Sequence, residues 1–243
     1  MKKFKKAIAL MLSMMAVLVS VGYTACDSAQ AEGEFDYNAY LQAMGYNATA
    51  QVITLDNVVV PAVDHPYYIK VNRRQNVITV YTLDEYGQYT VPVRAMLCST
   101  GAANSTPCGI YHTSTKYVWK ELNGKVYGQY DTRFATHMLF HSVPYSRNGD
   151  KGSLITRYYN KLGSQASGGC IRLAVENSKW IYDNIPSGTT VEIYDSSDPG
   201  PLGKPAATRI VTTSACAGWD PTDPDPSSPW NYPGVRETET YTE

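Results

Sequence analysis

The fold class of this chain is decided by residues 67–99, "YYIKVNRRQNVITVYTLDEYGQYTVPVRAMLCS". Residues 67–72 and 76–82 alternate β-branched and aromatic side chains with polar ones, and the short connection between them predicts a β-hairpin. Residues 88–99 continue the alternation after a Gly-containing turn and predict a third strand. This stretch therefore predicts a mainly β domain.

Further short strands follow at close spacing. They are predicted at 109–120, 125–130, 135–143 and 189–195. Glycine and proline lie between them, a pattern that indicates a β-sandwich or a barrel-like sheet. Residues 172–188 break the pattern with apolar side chains at helical spacing, so they predict one helix in an otherwise β fold.

The first 31 residues predict a targeting segment. Four lysines precede the apolar run Ala7–Val21, which is shorter than the ~20 residues that span a membrane as a helix. "SAQA", ending at Ala31, fits the cleavage site of a signal peptide and is the preferred site. "YTAC", ending at Cys26, resembles a lipoprotein box that would tether the protein to the membrane, although Tyr23 stands where a branched aliphatic residue is usual. We expect an exported protein, in the cell wall or on the outer face of the membrane. An uncleaved membrane anchor is the remaining alternative.

The rest of the chain divides by composition. Residues 32–65 predict an N-terminal extension, 66–196 one folded domain, and 197–243 a Pro- and Asp-rich tail that packs loosely or lies extended. Loss of residues 1–31 removes four lysines and one aspartate, so the net charge changes from −1 to −4. Because the chain has no long basic run, we do not expect a nucleic-acid partner.

The chain has five cysteines, and export would permit disulfides. Cys98 and Cys108 could close a short loop. Cys170 and Cys216 could also pair, which would make the Cys170 thiol structural. The sequence leaves the pairing open.

The most informative cysteine lies in "GSQASGGCIRL", residues 163–173. We expect the start of the following helix and the charge of Arg172 to lower the pKa of the Cys170 thiol. Gly168 and Gly169 would leave backbone N–H groups open to a substrate oxygen, as an oxyanion hole requires. These features are typical of a cysteine nucleophile.

The order of histidine and cysteine narrows the enzyme class. All four histidines precede the cysteine, whereas papain-like enzymes place the cysteine first. His141 ends an apolar strand beside a loop and is the best candidate for the base. On a strand, His137 would lie ~13 Å from it, so we do not expect a shared metal site. His65 and His112 are interpreted as surface or strand positions.

Two quoted motifs resemble a known family. "FHSVPY" (140–145) followed by "SGGCIRL" (167–173) resembles the catalytic domain of the L,D-transpeptidases, also called YkuD-like, which cross-link or remodel peptidoglycan. The resemblance covers about residues 66–196 and implies that family's β-sandwich or barrel-like fold. This chain has Gly168 where the family usually has a histidine. Its segment 145–166 is long, and we expect it to form a lid or a groove wall.

The resemblance also implies roles for single residues. Cys170 would be the nucleophile and His141 the general acid and base. The backbone carbonyl of Ser142 would orient His141, and the N–H groups of Gly169 and Cys170 would hold the oxyanion.

Three further residues are implied on the substrate side. Arg172 would bind a substrate carboxylate or brace the loop. Ser167 would contribute to the substrate site or hydrogen-bond within the loop. Gly168 would line the substrate opening.

The reaction implied is cleavage of the terminal D-alanine from a tetrapeptide stem through an acyl-enzyme on the cysteine. Transfer of the stem to an amine of another stem gives a 3–3 cross-link, and water in place of the amine gives L,D-carboxypeptidase activity. No cofactor or metal is implied. The alternatives are a catalytically silent cell-wall binding module of the same fold and a sortase-like transpeptidase, which the glycines before the cysteine disfavour.

Overall fold

The computed structural model describes residues 36–242, so the predicted signal peptide, its cleavage site and the lipoprotein box lie outside the described residues. Within residues 36–242, no helix is both long and apolar enough to cross a membrane. The strands are β1 Tyr46–Thr49, β2 Val52–Leu55, β3 Tyr67–Asn72, β4 Val77–Leu83, β5 Tyr89–Ser99, β6 Gly109–His112, β7 Lys116–Leu122, β8 Val126–Ala135, β9 Met138–Ser142, β10 Ile171–Leu173, β11 Thr190–Tyr194, β12 Thr208–Ile210 and β13 Thr240–Thr242. The α-helices are α1 Tyr37–Ala43, α2 Thr156–Tyr159, α3 Val175–Asn184 and α4 Val235–Glu239.

The strands β3, β4 and β5 form the antiparallel meander that residues 67–99 predict. β3 pairs with β4 from Tyr67↔Thr82 to Asn72↔Val77, and β4 pairs with β5 along almost its whole length. Ile69 and Ile78 are fully buried because alternate side chains of these strands face the core. The predicted mainly β class is confirmed.

One curled sheet contains most of the strands, in the order β6-β11-β3-β4-β5-β10-β9-β8-β7, with the hairpin β1–β2 attached to β5. The three-residue strand β10 joins the two halves of this sheet. It runs antiparallel to β5, with Arg172 opposite Ser99, and parallel to β9, with Arg172 opposite His141. The residues around the cysteine therefore lie where the two halves meet.

The helix α3 covers one face of the sheet beside β8 and β9. Ile181 of this helix and Ile185, just after its end, are fully buried in the largest apolar cluster, together with Phe140 of β9. Apolar side chains at helical spacing thus bury one side of the helix, as the sequence predicts.

The tail, residues 197–243, does not match the expectation of loose or extended packing. Leu202, Ile210 and Trp230 are buried, and the Trp230 indole N–H donates to the carbonyl of Trp219 at 3.0 Å. The expectation is wrong because the few apolar side chains of this Pro- and Asp-rich segment pack on the body of the domain. Large apolar side chains gain free energy from such burial wherever they occur in the chain.

Candidate active site

The predicted site residues converge on one pocket with a volume of about 550 Å³. The pocket lining includes His141, Ser167, Gly168, Gly169, Cys170 and Arg172. The parallel pairing of β10 with β9 explains this convergence, because it places Ile171 opposite Phe140 and thus brings the cysteine beside the strand that ends in the histidine. Residues 29 positions apart in sequence therefore meet through a sheet contact.

His141 is buried, with a relative exposure of 2%. Its Nδ1 lies 2.6 Å from the carbonyl oxygen of Ser142. If Nδ1 carries the proton for this bond, Nε2 is the basic nitrogen. The pKa of His141 is lowered to about 4, mainly by burial; the bond to Ser142 opposes this effect, and the charge of Arg172 adds to it.

The hydroxyl of Ser142 forms two hydrogen bonds that fix the residue. Its hydroxyl accepts the backbone N–H of Gln129 at 2.9 Å and donates to the carbonyl of Val143 at 3.0 Å. Since Ser142 is fully buried, these bonds keep the carbonyl directed at the imidazole.

The Cys170 thiol donates to the carbonyl of His137 at 3.7 Å. Burial raises the pKa of Cys170, and a backbone contact with Leu139 partly offsets this effect. The expected lowering of the thiol pKa by a helix start is wrong, because β10 separates Cys170 from α3, which begins at Val175. The resting group is therefore the thiol.

His137 itself lies before β9, in the exposed turn that follows β8. The predicted strand 135–143 thus begins later than expected. The side chain lines the pocket, and its backbone carbonyl contacts the nucleophile. The sequence does not predict this backbone contact, because a carbonyl group leaves no side-chain pattern.

The segment before the cysteine is braced by Ser167. Its hydroxyl donates to the carbonyl of Cys170 and accepts the N–H of Gly169 at 3.1 Å. Because both bonds are internal, the Ser167 hydroxyl supports the loop. The oxyanion role expected of Gly169 requires its N–H to turn away from this hydroxyl or to be shared with it.

Thr106 is a buried residue that sequence analysis did not assign. Its hydroxyl accepts the N–H of Gly101 at 2.7 Å and donates to the carbonyl of Gly169 at 2.8 Å. The Arg73 guanidinium donates a hydrogen bond to the carbonyl of Thr106 at 3.0 Å. The turn after β5 is thus tied to the backbone beside the nucleophile. In the sequence, "STG" (99–101) and "TPCGIY" (106–111) resemble the strand-turn segment that precedes the site in the family, and this is the signal that points to the turn.

Arg172 is directed into the loop. Its guanidinium donates to the carbonyl of Ala166 at 2.8 Å and stacks 4.5 Å from the ring centre of Tyr158. Of the two roles considered, the contacts favour bracing. Gly168 is exposed, and a Cβ atom built there would meet no atom within 4 Å.

One wall of the pocket comes from the hairpin β7–β8. It contributes Lys120, Glu121, Leu122, Asn123, Val126 and Arg133 to the lining. The segment 145–166, expected to form a lid or groove wall, contributes no residue to this pocket. It instead contacts the tail, where Leu154 N–H donates to the carbonyl of Gly218 at 2.7 Å.

The four cysteines from residue 36 onward are all free. The alternatives Cys98–Cys108 and Cys170–Cys216 are therefore both wrong for this structure. Cys98 is fully buried in the core, whereas Cys108 is exposed. Within residues 36–242, no cluster of three or more His, Cys, Asp or Glu side chains is arranged to hold a metal ion.

The fold and this pocket define a cysteine- and histidine-containing β domain of the transpeptidase type. The chain belongs to the L,D-transpeptidase catalytic domain family (YkuD), whose profile matches residues 66–193. The resemblance recognised in the sequence is thereby confirmed, and the sortase-like alternative is set aside. Membership supports a transpeptidase enzyme.

One curated protein and several solved structures are similar to parts of this chain. The chain is 35% identical over 109 residues to "Putative L,D-transpeptidase YciB" of Bacillus subtilis (strain 168), covering 43% of this chain and 54% of that protein. It thus spans about half the length of this relative. Among solved structures, an L,D-transpeptidase from Mycobacterium smegmatis has 17% identity and a TM-score of 0.44, covering 61% of this chain and 68% of that one. An L,D-transpeptidase from Mycobacterium tuberculosis H37Rv has 21% identity and a TM-score of 0.40, covering 54% and 58%.

Proposed function

We propose that this protein is an L,D-transpeptidase that uses Cys170 to cleave the terminal D-alanine from peptidoglycan tetrapeptide stems. The observation that carries the proposal is the setting of His141, whose Nδ1 contacts the Ser142 carbonyl at 2.6 Å while the residue lines the pocket of Cys170. Nε2 is then the nitrogen that can accept a proton. Family membership supports transpeptidase chemistry.

In the first step, Cys170 Sγ attacks the carbonyl carbon of the third stem residue while its proton passes to His141 Nε2. The backbone N–H of Cys170 donates a hydrogen bond to the oxyanion. The N–H of Gly169 donates a second one after it turns away from the Ser167 hydroxyl. Collapse of the tetrahedral intermediate breaks the C–N bond and leaves a thioester. His141 gives its proton to the departing D-alanine amine.

In the second step, an amine of a neighbouring stem attacks the thioester carbon. His141 takes a proton from this amine, and the C–S bond breaks with return of a proton to Cys170. The product is a 3–3 cross-link or a related amide. Water in place of the amine gives L,D-carboxypeptidase activity. The residues of the pocket suffice for both steps, so we propose no cofactor.

We also propose that the protein acts outside the cytoplasm, in the cell wall or tethered to the outer face of the membrane. The basic and apolar pattern of residues 1–31 supports export. Cys26 would carry the lipid if the lipoprotein box is used. Donor and acceptor stem peptides are its proposed partners.

The first test is release of D-alanine from a disaccharide-tetrapeptide. We expect Cys170→Ala to abolish release, because no other nucleophile replaces the thiol. Cys216→Ala is the matched control, since this half-buried cysteine lies outside the pocket, and it should retain wild-type activity. Unchanged release by Cys170→Ala would overturn the proposed function.

The main alternative is a catalytically silent cell-wall binding module of the same fold. The observation in its favour is Gly168, which replaces the histidine usual in the family. A carbapenem separates the two, because an active thiol should form a covalent adduct at Cys170 that intact-mass measurement detects. An unmodified protein that still binds peptidoglycan would favour the binding module.

A further inference from the structure

Two cationic side chains form one side of the pocket. Lys120 on β7 and Arg133 on β8 both line the cavity that contains Cys170, and both are half-buried. We call this pair the cationic wall. It is separate from Arg172, whose guanidinium is engaged with the loop before the cysteine.

The cationic wall has a defined geometry. Lys120 Nζ lies 4.5 Å from the ring centre of Tyr117, and Arg133 Cζ lies 6.0 Å from the same ring. Arg133 also donates to the carbonyl of Thr136. The next residue, His137, accepts the Cys170 thiol at its carbonyl, so one turn positions both the guanidinium and the nucleophile.

The charge of the cationic wall is not compensated locally. Within residues 36–242, neither Lys120 nor Arg133 has a carboxylate within ion-pair distance. Burial raises the pKa of Asp131 to about 8, so this nearby carboxyl is mostly neutral at pH 7. Glu121 also lines the pocket, but it is exposed and takes part in none of the ion pairs within residues 36–242.

We propose that the cationic wall binds a carboxylate of the donor stem peptide and thereby places the scissile carbonyl at Cys170. This inference rests on the proposed function and adds the subsite that selects the donor. Arg133 suits the role because a guanidinium holds a carboxylate through two parallel hydrogen bonds, and Lys120 adds a second charge. The carboxylate is either the one at the end of the stem or one at an internal residue.

Alkylation of Cys170 tests the wall without any transpeptidase activity. We compare rates with iodoacetate, which carries a carboxylate, and iodoacetamide, which does not, in a Cys108→Ser, Cys216→Ser background. Arg133→Gln should lower the iodoacetate-to-iodoacetamide rate ratio several-fold, because the variant loses the charge that attracts the iodoacetate carboxylate. The ratio is used because any change in thiol reactivity that affects both reagents cancels. Lys125→Gln, at an exposed turn position of the same hairpin, should leave the ratio unchanged.

Donor kinetics then identify the carboxylate. Three tetrapeptide donors are compared: the free acid, the terminal amide and the internal amide. Arg133→Gln should raise KM for the free acid roughly tenfold with a smaller change in kcat, and should not affect the donor that lacks the bound carboxylate. Arg133→Lys should bring KM for the free acid part of the way back to the wild-type value.

Two results would overturn the inference. One is an unchanged alkylation ratio in a folded Arg133→Gln protein. The other is an equal rise in KM for all three donors, which would mean a structural role for Arg133. If the ratio falls while D-alanine release is absent even in the wild type, the wall stands and the proposed function fails, so the two failures are distinguishable.

Discussion

At the scale of single residues, Cys170 and His141 line the same pocket and both rest uncharged. Burial raises the pKa of the thiol and lowers that of the imidazole to about 4, so neither group is charged near pH 7. A preformed thiolate–imidazolium pair is therefore disfavoured. The proton must move when the substrate carbonyl arrives, as in general-base catalysis.

The pH dependence of D-alanine release follows from this pair. His141 accepts a proton only when it is neutral, so kcat/KM should fall as the pH drops through its pKa in the free enzyme. Since that pKa is about 4, kcat/KM should stay nearly constant between pH 8 and pH 5. An acid limb centred near 6.5 would contradict this prediction, provided circular dichroism shows the protein folded at each pH.

At the scale of elements, the loop before β10 contains two adjacent glycines with different constraints. Gly169 has a φ of 133°, and a Cβ there would lie 3.2 Å from the carbonyl oxygen of Ser105. Gly168 has open space around it. Only Gly169 is required by the backbone, so the glycine that replaces the family's histidine is not a structural necessity of this loop.

Substitution of the two glycines should separate them. Gly168→His should change the free energy of unfolding by less than about 0.5 kcal/mol, as for other unconstrained surface positions. Gly169→Ala should cost at least about 1 kcal/mol, because its φ is rare for residues with a Cβ. Urea unfolding measures both, and equal losses would contradict the interpretation of the loop.

Local pattern was sufficient for the long strands and insufficient for β10. The alternation of residues 67–72 and 76–82 predicted β3 and β4 almost to the residue, because each pairs with its neighbour in sequence. The segment "IRL" forms β10 only through partners around residues 98 and 141. No local signal reports such partners, so the sequence predicts a helix that begins at residue 172 although α3 begins at Val175.

At the scale of the whole molecule, the tail completes the domain. Asp220 accepts the backbone N–H of Val175 at 3.0 Å and thereby caps the first turn of α3. Trp230 packs in a second apolar cluster with Tyr145 and Tyr159 of the segment 145–166. Composition indicated an extended tail, because Pro- and Asp-rich segments seldom bury side chains, but three-dimensional contacts of a few residues outweigh that average.

Truncation of one tail side chain should therefore reduce stability. Trp230 is 1% exposed, and Trp230→Ala should lower the free energy of unfolding by about 3–5 kcal/mol. Tyr232→Ala is the matched control, since this aromatic residue is 70% exposed and should have little effect. Equal unfolding midpoints in urea for the two variants would contradict a structural role for the tail.

The position of β10 also has a consequence for the time course of folding. β10 pairs with strands that end 71 and 28 positions before Cys170, and β11 pairs with β3 across more than a hundred residues. Sheets built from such distant contacts fold slowly, because long loops must close before the contacts form. The nucleophile and the histidine are brought together only by β10. We expect the chain to acquire catalytic competence late in folding, after most of its secondary structure has formed.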